Sequence, residues 1–200
     1  MILEAYAQAA QLFVDTVTQV HDTQWDSPGL GEWSVRELVG HTHRALLTVE
    51  TYLDKPSATV DLERPVDYFV RAKASLGDPA AVAARGREAG KALGAEPLAV
   101  VRATATRVLT RLKDTPDTAC VTTPVGAMRL LDYLPSRVFE LTIHTLDLAV
   151  ATSQDVTISQ EAAAVTVSLV TELAHASGKL APLLLAATGR RALPSGFSVL

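Results

Sequence analysis

Arg137, Glu140, His144 and Asp147 occur in the stretch Arg137-Val-Phe-Glu140-Leu-Thr-Ile-His144-Thr-Leu-Asp147-Leu148. Wound as a helix at ~100° per residue, they fall within a sector of roughly 80° and stack turn upon turn. The rest of the stretch, from Val138, Phe139 and Leu141 to Leu148, Ala149 and Val150, is mostly apolar in every direction and leaves no broad solvent face, so the helix is expected to be buried. A buried row of ionisable groups must be paired, hydrogen-bonded or bound to an ion, because each uncompensated charge costs several kcal/mol. Glu140 and His144, four residues apart, can turn one carboxylate oxygen and one imidazole nitrogen toward the same point, which is how helices chelate a metal. A third donor has to come from another element.

Histidine is the type to look for. The only cysteine, Cys120, excludes an internal disulfide and a cysteine-based zinc site, and it reads as a small residue in an extended stretch rather than a reactive thiol. His21 and His175 stand near expected helix C-termini, where a cation offsets the helix dipole. His41 and His43 share a helix but lie about 160° apart at ~100° per residue, so only one can face a given interior point. His41 sits beside Leu38, Ala45 and Tyr52, and His43 on the flank of Glu50. Helix geometry alone leaves His41 open between a metal donor and a hydrogen-bonded boundary residue.

The elements that would carry these groups are mainly helical. Residues 2 to about 21 show helical apolar spacing, with Leu3, Ala7, Ala10, Phe13, Val17 and Val20. A turn-rich loop holding Trp25 and Trp33 is expected to pack on the bundle end. Ser34-Val-Arg-Glu37 is a capping box that starts a helix running to about Leu53. Residues 54 to 78 read as a long crossing connection with a short helix near 66–74. Pro79 opens an alanine-rich helix that Gly94 ends, its Gly86 and Gly90 marking a weak or closely packed helix. A further helix spans Pro97 to Lys113, with Arg102, Arg107 and Arg111 on a solvated face. A short hairpin or extended segment is expected near 119–128, after which Asp132 caps the helix bearing the row and Pro135 falls in its first turn. Ser159 opens another helix, closed by Gly178. Residues from about 180 to 200 form a short helix, a Gly189-Arg190-Arg191 surface turn and an extended end. The expected fold is all-α, a four-helix bundle with a long crossover and extra short helices, in one domain over 1–200.

Composition narrows the function classes. Among 200 residues, 48% are hydrophobic and 20% charged, enough for one buried core. A net charge of −4 with scattered basic residues excludes a nucleic-acid footprint. With no segment approaching ~18 apolar residues and no leader-like N-terminus, a soluble cytoplasmic protein without membrane contact is expected. Its partners would be small molecules, and a homodimer is the one protein partnership admitted.

Trp33-Ser34-Val35-Arg36-Glu37-Leu38-Val39-Gly40-His41, followed about a hundred residues later by the Arg137–Leu148 stretch, resembles the DinB/YfiT-like metal-binding four-helix bundles. It is most similar to the group of the mycothiol-dependent maleylpyruvate isomerase N-terminal domain, and Thr188-Gly189-Arg190 adds to the likeness. The resemblance implies that His41, Glu140 and His144 hold a divalent metal, zinc first, with nickel or iron also accommodated. It implies mycothiol or a similar thiol as cosubstrate, activated for transfer to, or isomerisation of, a small electrophilic substrate. Asp147 would orient an imidazole. Arg137 would either offset charge and clamp a substrate carboxylate, or form a neutralising pair with Glu140. The isomerase of that group has a further C-terminal domain contributing to its active site, so maleylpyruvate isomerisation itself is not expected of these 200 residues. The alternative is a bundle whose metal is structural or merely holds a ligand.

Overall fold

A computed structural model describes residues 1–200, with Leu76 described by its backbone alone. Four helices form the frame: α1 (Ile2–Thr18), α2 (Val35–Leu53), α5 (Pro97–Lys113) and α6 (Leu130–Thr152). Each packs against two others, in the closed order α1, α6, α2, α5 and back to α1. The 54–96 connection between α2 and α5 is the expected crossover. It holds α3 (Pro65–Leu76), which lies against α6, and α4 (Pro79–Ala92), which lies along α2. Two small antiparallel ribbons, β1 (Pro28–Leu30) with β2 (Trp33–Ser34) and β3 (Cys120–Thr123) with β4 (Gly126–Arg129), lead into α2 and α6. α7 (Gln160–Ala176) covers α6 and α1, and α8 (Leu180–Ala187) follows it. The all-α bundle and the hairpin near 119–128 are as expected. Among the described residues no helix is long and apolar enough to cross a membrane.

The frame closes over the expected apolar faces. Ala10, Phe13 and Val17 of α1, Leu38, Leu46 and Val49 of α2, Val101, Val108 and Leu112 of α5, and Val138, Leu141 and Leu148 of α6 share one core. The two fully buried tyrosine hydroxyls are bonded: Tyr6 donates to the Ala45 carbonyl at 3.2 Å and Tyr133 to Thr48 Oγ1 at 2.9 Å. The capping box is present, with the Glu37 amide donating to Ser34 Oγ and the Ser34 amide to Glu37 Oε2. α4 can lie this close to α2 because Gly40 meets Gly90: a Cβ on Gly40 would stand 2.3 Å from the Gly90 nitrogen.

Three local expectations are corrected. α1 ends at Thr18, and His21 instead begins the 3-10 turn Asp22–Gln24, its amide donating to Gln24 Oε1. α6 starts at Leu130, not after Asp132. The β3–β4 ladder keeps the chain extended through Arg129, and the helix begins where that pairing stops. Asp132 therefore takes the Arg129 guanidinium at 2.6 Å, and Pro135 lies inside the helix, where it leaves one backbone carbonyl without its helical donor. The three arginines on α5 are not simply solvated: Arg102 donates to Thr18 Oγ1, Arg107 grips Glu50 through two hydrogen bonds, and Arg111 bonds Asp54.

His43 of α2 is 4% exposed, near Arg107 of α5, with no hydrogen-bond partner for Nε2 among the described residues. Burial, reinforced by Arg107, lowers its pKa to about 4, well under the value of about 6.5 expected in an unfolded chain. Folding therefore favours the neutral ring. Its contribution to stability is complete above about pH 6.5 and is lost as pH falls toward 4. Between pH 7 and pH 5 the loss is about 2 kcal/mol. Urea unfolding of His43→Asn should show a pH dependence shallower by that amount. Parallel pH profiles for the two proteins would contradict this assignment.

Candidate metal centre

The row on α6 does turn inward, and α2 meets it with His41. Glu140 Oε2 lies 3.3 Å from His144 Nε2 and 3.9 Å from His41 Nε2. One donor atom from each of the three falls within 4.8 Å of the others. Metal–ligand arms of about 2.1 Å in a tetrahedron put donors about 3.4 Å apart, so the spacing suits one small ion. Among the described residues no fourth His, Cys, Asp or Glu joins the group. The three side chains are 17–20% exposed, which leaves the cluster open on one side.

That side is a cavity of about 810 Å³, with His41, Glu140 and His144 in its wall. α2 contributes Arg44, Ala45, Thr48 and Tyr52, on the same helical face as His41, while Tyr68 and Phe69 come from α3 and Val82 and Arg85 from α4.

The electrostatics fit a place for a cation. Burial opposes the Glu140 carboxylate, yet the His144 hydrogen bond and nearby Arg137 outweigh it and hold its pKa at about 2. Burial likewise opposes a charge on His144, but Asp147 and Glu140 raise its pKa to about 9. His41 goes the other way. Burial, with His144 beside it, lowers it to about 4. A proton on His144 thus occupies the charge well that an ion would fill, and ion and proton compete for it.

Asp147 stands one turn beyond His144, its Oδ2 3.0 Å from His144 Nδ1. A hydrogen bond from Nδ1–H to Asp147 means that the neutral ring, the form an ion would bind, carries its lone pair on Nε2, toward the cluster. Arg137 does not pair directly with Glu140, whose close partners among the described residues are His144 and the neutral His41. Its guanidinium lies over the rings of Tyr133 and Tyr68, 4.9 and 5.2 Å from their centroids, and Nε donates to Ser136 Oγ. It also lines the cavity.

The family model for the mycothiol maleylpyruvate isomerase N-terminal domain matches residues 6–149. The chain belongs to that family. The match takes in α1 through most of α6, and hence His41, Glu140, His144, Arg137 and Asp147; the Gly189 turn lies beyond it. Comparisons with curated proteins and with solved structures return no significant match.

The same family domain carries groups that inspection of the sequence missed. Arg44 and Thr48 follow His41 at helical intervals of three and seven, on the face where Ala45 and Tyr52 were already placed beside His41, so they too were available from periodicity. Tyr68 had no such signal. It reaches Arg137 only because the crossover folds back on α6. The Gly189-Arg190-Arg191 turn is exposed, with Arg190 donating to the Thr188 carbonyl, and Cys120 is half-buried in β3.

Proposed function

We propose that His41, Glu140 and His144 hold a divalent metal, zinc by preference, and that the domain activates a low-molecular-weight thiol for reaction with a small electrophile. The observation that carries this reading is the three-donor cluster facing a cavity of about 810 Å³ with no fourth protein donor among the described residues. A structural zinc site is normally closed by four protein ligands, whereas a catalytic site keeps a position open. When bound, such an ion supplies Lewis acidity that makes an adjacent thiol a thiolate at neutral pH.

The protein's own residues then bind and orient. Asp147 keeps the proton of His144 on Nδ1. Arg44, Lys73 and Arg137 line the cavity together with the acidic side chain of Glu140. Glu140 is engaged by the histidines, so the remaining field favours a negatively charged ligand, and Arg137, held over the rings of Tyr68 and Tyr133, is placed to clamp a carboxylate. Addition to a conjugated double bond needs no co-reactant. The S–C bond forms as the π bond breaks, and the thiol proton ends on the neighbouring carbon. Reversal after rotation gives isomerisation. With Cys120 on β3, away from the cluster, the nucleophile is the small thiol, as in the mycothiol chemistry of the family's name.

The test joins metal analysis of protein purified without added metal to thiol-transfer assays over a panel of low-molecular-weight thiols, mycothiol among them. Stoichiometric zinc and turnover lost in His41→Ala are expected; turnover that survives loss of His41 would contradict the mechanism. In Asp147→Asn, similar in size but without the charge, metal affinity should fall about 10–100-fold in a chelator competition titration. Unchanged affinity would leave Asp147 no part in orienting His144.

A further inference from the structure

The two histidines of the cluster are not held alike. His144 is fixed by Asp147, but Nδ1 of His41 is buried with no hydrogen-bond partner among the described residues. What lies against the His41 ring is Trp33, with ring centroids 4.4 Å apart and planes inclined by 32°. Trp33 is 8% exposed and is itself anchored on the far side. Its indole N–H donates to the Ala83 carbonyl of α4 at 3.0 Å. The ring rests on Gly86 of the same helix, where an added Cβ would come within 2.3 Å of Cε2 and 2.4 Å of Nε1. A polar partner normally sets the rotation of a metal-bound imidazole, and for His41 that partner is missing.

We propose that Trp33 is the positioning residue for His41, its indole face replacing the absent hydrogen-bond acceptor, and that α4, by seating the indole, sets the affinity of the centre for its metal. This rests on the metal reading above. The chain of contact runs from Gly86 and Ala83 through Trp33 to His41. A change on α4, remote from every donor atom, therefore alters metal binding.

The test uses the full chain and zinc or cobalt(II) alone as probe, with affinity measured by competition against a chelating dye. Trp33→Leu, which keeps an apolar side chain but removes the aromatic face, should weaken binding about 10–100-fold. Trp33→Phe, which keeps a ring but loses the bond to Ala83, should stay closer to the parent protein than Trp33→Leu. Gly86→Ala, which displaces the indole from behind, should also weaken binding, with helical circular dichroism retained. Parent affinity in folded Trp33→Leu or folded Gly86→Ala overturns the proposal.

A second readout needs no change at Trp33 and decides the matter even where those variants do not fold. In Trp25→Phe, Trp33 is the sole tryptophan, and its emission should be quenched stoichiometrically by cobalt(II), with the response abolished by His41→Ala. Cobalt bound with no change in Trp33 emission overturns the proposal while leaving the metal reading intact. A parent protein that binds neither ion overturns both.

Discussion

Replacement of His144 by alanine is expected to cost the protein about two to three orders of magnitude in metal affinity. A four-ligand zinc site is worth about 10–16 kcal/mol, or about 2.5–4 kcal/mol for each ligand, and about 1.4 kcal/mol is a factor of ten. His144 should sit at the upper end of that range. Glu140 and Asp147 both direct their carboxylates to it, so its loss also leaves Glu140 Oε2 without the partner that holds it in the cluster. Chelator competition and elemental analysis would measure the change, and thiol turnover should fall with it. If His144→Ala takes up zinc as the parent does, the ion lies elsewhere and the three-donor reading is wrong.

The second large effect concerns packing. Gly40→Ala puts a methyl group 2.3 Å from the Gly90 nitrogen and 2.5 Å from the Ala89 carbonyl carbon, both backbone atoms that no rotamer change can move aside. Overpacking of a core costs about 1–3 kcal/mol, and a backbone collision belongs at about 3 kcal/mol. For a chain of this length that is about 6–12 °C in Tm. The damage should be local in kind as well as large. α4 must lift from α2, so the indole of Trp33 loses its seat and turns to water. A red-shifted Trp33 emission accompanying the drop in Tm is expected. A Tm within about 2 °C of the parent would mean that the helices separate more easily than their contact implies.

The elements that hold the centre were legible in the sequence because each depends on short-range rules. The Ser34–Glu37 box announced α2, the spacing of Glu140 and His144 fixed a shared face on α6, and the proline and glycine pattern outlined α4. Where α6 begins was not legible, since the β3–β4 ladder, a tertiary pairing, overrides the capping preference of Asp132. The place of His43 was read as a flank beside Glu50; its burial against α5 follows only from how the helices assemble. His41 was ambiguous from its own helix and became a candidate donor through resemblance, because a single helix cannot say which of its faces another helix will meet. The tyrosine pair around Arg137 was out of reach for the same reason. Tyr133 lies on the same helix as Arg137, one turn away, but Tyr68 arrives from a different element altogether.

The crossover has a consequence for how such a domain can diversify. The candidate donors stand on α2 and α6 of the frame, while Tyr68, Phe69, Lys73, Val82 and Arg85, which give much of the cavity its shape and charge, stand on α3 and α4. On the function proposed above, the metal donors thus stand on the frame, while part of the lining that would meet a substrate stands on the crossover. The 54–96 segment could be exchanged between relatives as a cassette, altering which electrophile is admitted while the frame keeps its chemistry. Such exchange would have to keep the contact of Gly40 with Gly90, the seat of the Trp33 indole on Gly86, and the bonds of Asp61 and Leu62 to Ala127.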